Sequence, residues 1–176
     1  VDRLRDFFKF EFFYSPREEF RQQIDAELSQ CHDDWEGQLR GKTSDVEAFI
    51  DVMHPLVAHA TLLPYVEAYG IVAEVLEQLE PDAEIDEKQC VETSLKYGQQ
   101  RLLQRRISSK ASIAKLLFSN GYKLFENKGL IARGKPGSAA LRRAASQDFA
   151  ELWRRLDQLR HRAQAHRTQQ VSGSGG

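Results

Sequence analysis

The chain has 176 residues, 41% of them hydrophobic, and a net charge of −1. That profile fits one globular domain with at most a tail, and it excludes a low-complexity or strongly polyionic protein. Cys31 and Cys90 form no CxxC and lie far apart, so they read as reduced intracellular thiols, and no secretory signal or spanning segment is legible.

Residues 2–14 hold six aromatics within residues 7–14. The charged lead-in and Glu11 favour a helix there. Phe7, Phe8, Phe10, Phe12 and Phe13 either seal the domain's own core, the default reading, or dock on a region outside this chain. Ser15 is the expected N-cap of the next helix, with Pro16 at its first position and Glu18 and Glu19 facing the positive end of the dipole. Phe20, Ile24 and Leu28 form its stripe. His32, Asp33, Asp34 and Glu36 are not spaced for one helical face and read as a polar turn, not a metal site. Residues 37–42 read as a loop. Ser44 with Glu47 is a capping-box pattern opening a helix through Val46, Phe49, Ile50 and Met53, which Pro55 kinks or ends.

Residues 62–79, LLPYVEAYGIVAEVLEQL, are apolar almost all round as a helix. Glu67, Glu74 and Gln78 share one narrow wet edge. Such a helix is buried over most of its surface. Its glutamates argue against a bilayer, so it is expected as the central rod of the core. Pro64 falls in the first turn and Pro81 stops the helix. After an acidic turn at residues 80–87, Asp86 caps a helix over residues 87–106. Val91, Leu95, Gly98 and Leu102 form its stripe. Gly98 predicts a close crossing with the central helix, which has its own Gly70. Ile107, Ser108 and Ser109 break the run. The next helix carries Ile113, Leu116, Leu117, Tyr122, Leu124 and Phe125 and ends at Gly129 as its C-cap glycine. Leu130 and Ile131 pack back, and residues 133–138 form a Gly/Pro loop. Ser138 caps a last long helix with the stripe Leu141, Ala145, Phe149, Leu152, Leu156 and Leu159, bordered by Trp153.

The expected fold is therefore all-α: an irregular bundle of about six to seven helices around the rod at residues 62–79. The expected domain spans residues 1–167. Residues 168–176, ending SGSGG, read as a flexible tail or linker, and with the initial Val they suggest a piece of a longer protein.

Charge is unevenly distributed. Residues 1–95 carry 22 acidic against 8 basic side chains, and residues 96–176 carry 4 against 17. Arg142, Arg143, Arg154, Arg155, Arg160 and Arg162 flank the last helix and are candidate contacts for an anionic surface, against the plainer reading of a solvated or core-packed face. No nucleophile triad, phosphate loop, dinucleotide fingerprint or zinc spacing is present, and His54 and His59 stand five apart, not three or four. The hairpin over residues 96–131 is basic, but its second helix offers few polar base-readers, so no nucleic-acid partner is expected.

The runs FKFEFFYSPREEF, LLPYVEAYGIVAEVL and LKYGQQRLLQRRISSKASIAKLLFSNGYKLFENKGLI resemble the C-terminal region of the membrane-associated bacterial glycerol-3-phosphate 1-O-acyltransferases over residues 2–132. The resemblance implies a parent enzyme that moves an acyl group from acyl-CoA or acyl carrier protein to the 1-hydroxyl of glycerol 3-phosphate. In that family an upstream HxxxxD motif supplies a histidine as general base and an aspartate that orients it. Here Gly37, His59, Pro64, His166 and Val171 stand five residues after the five histidines, and none is aspartate. No catalytic residue carries over, and no cofactor or metal is implied. What is implied is a non-catalytic region that packs on the upstream acyltransferase domain, peripheral to the cytoplasmic side of the cell membrane. The alternative is a helical module that binds an anionic membrane or a protein partner.

Overall fold

The computed structural model describes residues 2–53, 58–80, 83–131 and 137–173, the side chains of residues 58 and 166–173 excepted. Among the described residues all regular structure is helical. The elements are α1 (Asp2–Phe7), α2 (Arg17–Cys31), α3 (Trp35–Arg40), α4 (Thr43–Met53), α5 (Ala58–Glu77), α6 (Glu87–Leu103), a 3₁₀ turn (Lys110–Ser112), α7 (Lys115–Asn127) and α8 (Ser138–Gly173). The all-α class is as the sequence predicts, with eight α-helices among the described residues where about six to seven are expected. The chain divides into two compact units, Val1–Ala58 with Arg162–Gly176, and His59–His161.

In the first unit the helix expected over residues 2–14 stops at Phe7. Beyond it Phe12 packs edge-on to Phe8 at 6.3 Å, and Tyr14 packs edge-on to Phe20 of α2 at 5.2 Å. Arg5 donates to the Ser15 carbonyl (3.1 Å), and Arg17 pairs with Asp6 (3.3 Å). These cross-links turn the chain, so the aromatic run is a corner rather than a long helix. Pro16, not Ser15, occupies the N-cap of α2, and the Ser15 hydroxyl donates to Gln23. Residues 37–40 are helical, not loop, because the Asp34 carboxylate caps α3 by accepting from Gly37 N–H at 3.1 Å. Helix α4 begins at Thr43, two residues before the first helical position that a Ser44 cap predicts, with Lys42 N–H donating to Asp45. Pro55 and His54 lie outside the described residues.

The second unit is organised around α5. Val66, Val72 and Leu76 are 1%, 0% and 0% exposed, so the apolar rod is the core the sequence predicts. It starts four residues earlier than expected and ends two residues earlier, which places Pro64 inside the helix instead of in its first turn. Three helices press on α5, each through a glycine contact. A Cβ at Gly98 of α6 would lie 3.2 Å from Ile71, one at Gly121 of α7 would lie 3.2 Å from Val72, and one at Gly70 of α5 would lie 3.6 Å from Phe149 of α8. Gly98 thus meets α5 as expected, but through Ile71; Gly70 faces α8. Asp86 caps α6 as predicted, accepting from Gln89 N–H at 2.8 Å, and the helix stops at Leu103, short of Arg106.

Within the second unit, the buried residues of α8 are Ser138, Arg142, Phe149 and Leu156, the last three seven apart. The stripe expected through Leu141 is therefore rotated by one residue at its start, and Leu141 is exposed. Helix α8 continues to Gly173, through the first part of the expected tail. Pro81 and most of the Gly/Pro loop lie outside the described residues. Among the described residues no helix is long and apolar enough to cross a membrane.

Candidate functional site

One cavity of about 370 Å³ lies within the second unit. Val66, Glu67, Gly70, Ile71 and Glu74 supply its α5 wall, at the one-face spacing of a helix. Ser146, Phe149, Ala150 and Trp153 supply the α8 wall on the same rule. Arg101, Arg105, Arg106 and Ile107 close the third side from the end of α6.

The wall from α6 is set by how that helix ends. Arg105 N–H bonds to the Leu102 carbonyl (3.0 Å) and Arg106 N–H reaches back to the Arg101 carbonyl (2.9 Å). This double bond pattern is a Schellman termination, and it requires a left-handed residue. Arg105 takes that conformation, at φ 56°. A Cβ makes it unfavourable by about 1–2 kcal/mol.

Glu67 is 3% exposed, which corrects its expected place on a wet edge. Its carboxylate accepts from Ser108 N–H (2.6 Å), the Ser112 hydroxyl and Trp153 Nε1 (3.3 Å). One buried charge is stabilised by donors from the segment after α6, from the 3₁₀ turn and from α8. Glu74 pairs with Arg101, and Arg101 also donates to the Tyr97 hydroxyl at 2.8 Å. Burial opposes the charge on Arg101, but Glu74 and Tyr97 outweigh it and hold the guanidinium pKa above its ordinary value. Both acids in the cavity are thus already engaged. Among the described residues, Arg105 and Arg106 have no side-chain hydrogen bond or ion pair, and both are exposed at the cavity.

The six arginines singled out from the sequence have different surroundings. Arg142 is 1% exposed and donates to the carbonyls of Leu130 (2.8 Å), Glu80 (3.2 Å) and Ala83 (3.4 Å). It is a core residue and no surface contact. Arg143 is exposed and lies 3.7 Å from Glu77; Arg154 and Arg155 are exposed and share Glu151 at 2.8 and 2.7 Å. Arg160 pairs with Asp157, and Arg162 with Glu47 (2.6 Å) and Asp51 (3.1 Å). Of the candidate aromatics, Phe7 and Phe8 are buried and Phe12 is half-buried, while Phe10 is partly and Phe13 fully exposed. The structure brings none of these residues into the cavity. The sequence places Arg105 and Arg106 in the last turn of a helix, before the break, and assigns them to no site. The signal that marks them is the Arg-Arg pair next to the Ile107 break.

Two other groups bear on chemistry. Burial pushes the Cys90 thiol up to about 11, so it is protonated at neutral pH and not a nucleophile. His161 Nδ1 lies 3.4 Å from Asp157 on the exposed side of α8, away from the cavity.

A family profile described as the C-terminal region of glycerol-3-phosphate acyltransferase matches residues 1–134. Similar proteins from Mycobacterium bovis and two strains of Mycobacterium tuberculosis are named "Putative acyltransferase plsB1". Each is 32% identical over 148 residues, covering 84% of this chain and 23% of the relative. The chain thus spans about a quarter of the length of these curated relatives. No solved structure matches it.

Proposed function

This chain belongs to the family of glycerol-3-phosphate acyltransferase C-terminal regions, and from that membership we propose that it is the non-catalytic helical part of an enzyme acylating the 1-hydroxyl of sn-glycerol 3-phosphate. The single observation that carries this reading is the match over residues 1–134. The upstream part of the same protein supplies the general base, and this region holds it in shape at the cytoplasmic face of the membrane. Phe10 and Phe13, exposed on the first unit, are the aromatics available to dock that part.

The test is acyl transfer from acyl-CoA to glycerol 3-phosphate by the full-length protein, by the protein lacking this region, and by this chain alone. Activity is expected only in the first, with recovery when this chain is coexpressed with the truncated protein. Full activity after truncation, or acyl transfer by the 176-residue chain, overturns the reading.

A second reading, contact with an anionic membrane, rests on the exposure of Arg143, Arg154 and Arg155. Sedimentation with anionic vesicles should weaken with salt and in the double variant Arg154→Glu, Arg155→Glu. Unchanged sedimentation of that variant removes α8 from the membrane.

A further inference from the structure

We propose that the arginine-edged cavity between α5, the end of α6 and α8 binds a single-chain anionic amphiphile, a medium-chain fatty carboxylate, as a soluble monomer. The proposal does not depend on whether the chain supports an acyltransferase.

Three features of the cavity define the ligand. Its walls are apolar where Val66, Ile71 and Phe149 line it, so the occupant has a hydrocarbon part. Its charged residues select an anion. Glu67 already accepts from three donors and Glu74 is paired with Arg101, so neither is left to attract a cation. Arg105 and Arg106 are unpaired among the described residues, and guanidinium groups suit a carboxylate. Its volume of about 370 Å³ holds roughly a dozen groups the size of a water molecule. That number matches the bulk of one chain of about ten carbons with its carboxylate. Free phosphate would use the arginines and leave the apolar wall unoccupied. Arg105 also keeps a backbone conformation that glycine would adopt at less cost, which is the kind of local strain retained where a side chain has work at a site.

Trp153 lines the cavity and reports its occupation. In the 176-residue chain carrying Trp35→Phe, it is the sole tryptophan. Decanoate, kept below its micelle concentration, should change Trp153 emission saturably. Arg105→Glu with Arg106→Glu should weaken binding at least tenfold. Ala150→Phe, which adds bulk to the α8 wall, should abolish it with the melting temperature unchanged. Decanol should bind at least tenfold more weakly, and decyltrimethylammonium and inorganic phosphate should give no saturable change. Non-saturable decanoate binding overturns the proposal, as does equal affinity for decanol or for the cation, or full affinity in the charge-reversed variant. Anionic vesicles free of fatty acid that match decanoate in the Trp153 response also overturn it, because a bilayer surface would then be the ligand.

Discussion

The ends of α6 and α7 share one backbone geometry and differ in the residue at its tightest point. After α7, Gly129 takes φ 72°, its N–H meets the Glu126 carbonyl at 2.8 Å, and Leu130 N–H reaches Phe125 at 3.0 Å. After α6 the same pair of bonds forms around Arg105, at φ 56°. The α7 end follows the stable pattern: glycine in the left-handed position, then buried Leu130 above buried Phe125. The α6 end puts exposed arginines at both of those places. Each following segment is then held by a buried charge from another helix. Glu67 accepts from the Ser108 N–H, and Arg142 donates to the Leu130 carbonyl. The difference teaches that one end was shaped for burial, while the other gives up local stability to place two cations beside a cavity.

The largest expected effect breaks the two anchors. Arg142→Met removes a cation that serves three carbonyls, and should cost about 3 kcal/mol in urea unfolding. Arg142→Lys should recover less than half of that, because an ammonium cannot spread over three acceptors as a guanidinium fork does. Glu67→Gln keeps the shape but sets an amide N–H₂ against a donor, and should cost about 2 kcal/mol. Full stability in Arg142→Met would mean that the anchor is dispensable and that Leu130 burial alone holds the α7 end.

A smaller, opposite pair of effects tests the helix ends themselves. Gly129→Ala should destabilise by about 1 kcal/mol, since a Cβ enters a left-handed position. Arg105→Gly should stabilise by about 0.5 kcal/mol, the relief of strain exceeding the entropy glycine adds to the unfolded chain. The same variant should bind decanoate severalfold more weakly. Matching changes of one sign in both urea midpoints would show that the two ends are not the same structure.

The sequence made local features legible and distant ones not. Asp86 as a cap, Gly129 as the terminating glycine and the apolar rod of α5 all follow from neighbours a few residues away. Glu67 looked like part of a wet edge because the groups that satisfy it, Ser108, Ser112 and Trp153, are 41, 45 and 86 residues on. Hydrophobicity placed Leu141 inward and Arg142 outward, and one residue turns a helix by about 100°. The reversal comes from three carbonyls beyond α5 and α7, which no residue pattern displays. Likewise Gly37 suggested a loop, whereas the Asp34 carboxylate caps a short helix through it. The cavity arginines read as helical in the sequence because the stop of α6 at Leu103 depends on bonds made by the segment that follows.

The smallest effect concerns Glu151, the solvated counterpart of Glu67. It bonds Arg154 and then Arg155, and their donors hold its carboxyl at about 2, below the ordinary 4.5. Because the folded value lies below the unfolded one, its contribution is present above about 4.5 and disappears as pH falls toward 2. The group is open to solvent, so salt screens the interaction and long side chains lose freedom in making it. The difference in urea midpoint between the parent and Glu151→Gln should therefore be slight at pH 6, shrink by pH 2.5, and vanish at any pH in 1 M salt. The Glu67→Gln difference should persist in the same salt, because its partners exclude water. A Glu151 effect as large and salt-resistant as that of Glu67 would erase the distinction between a charge that builds the cavity wall and one that only decorates α8.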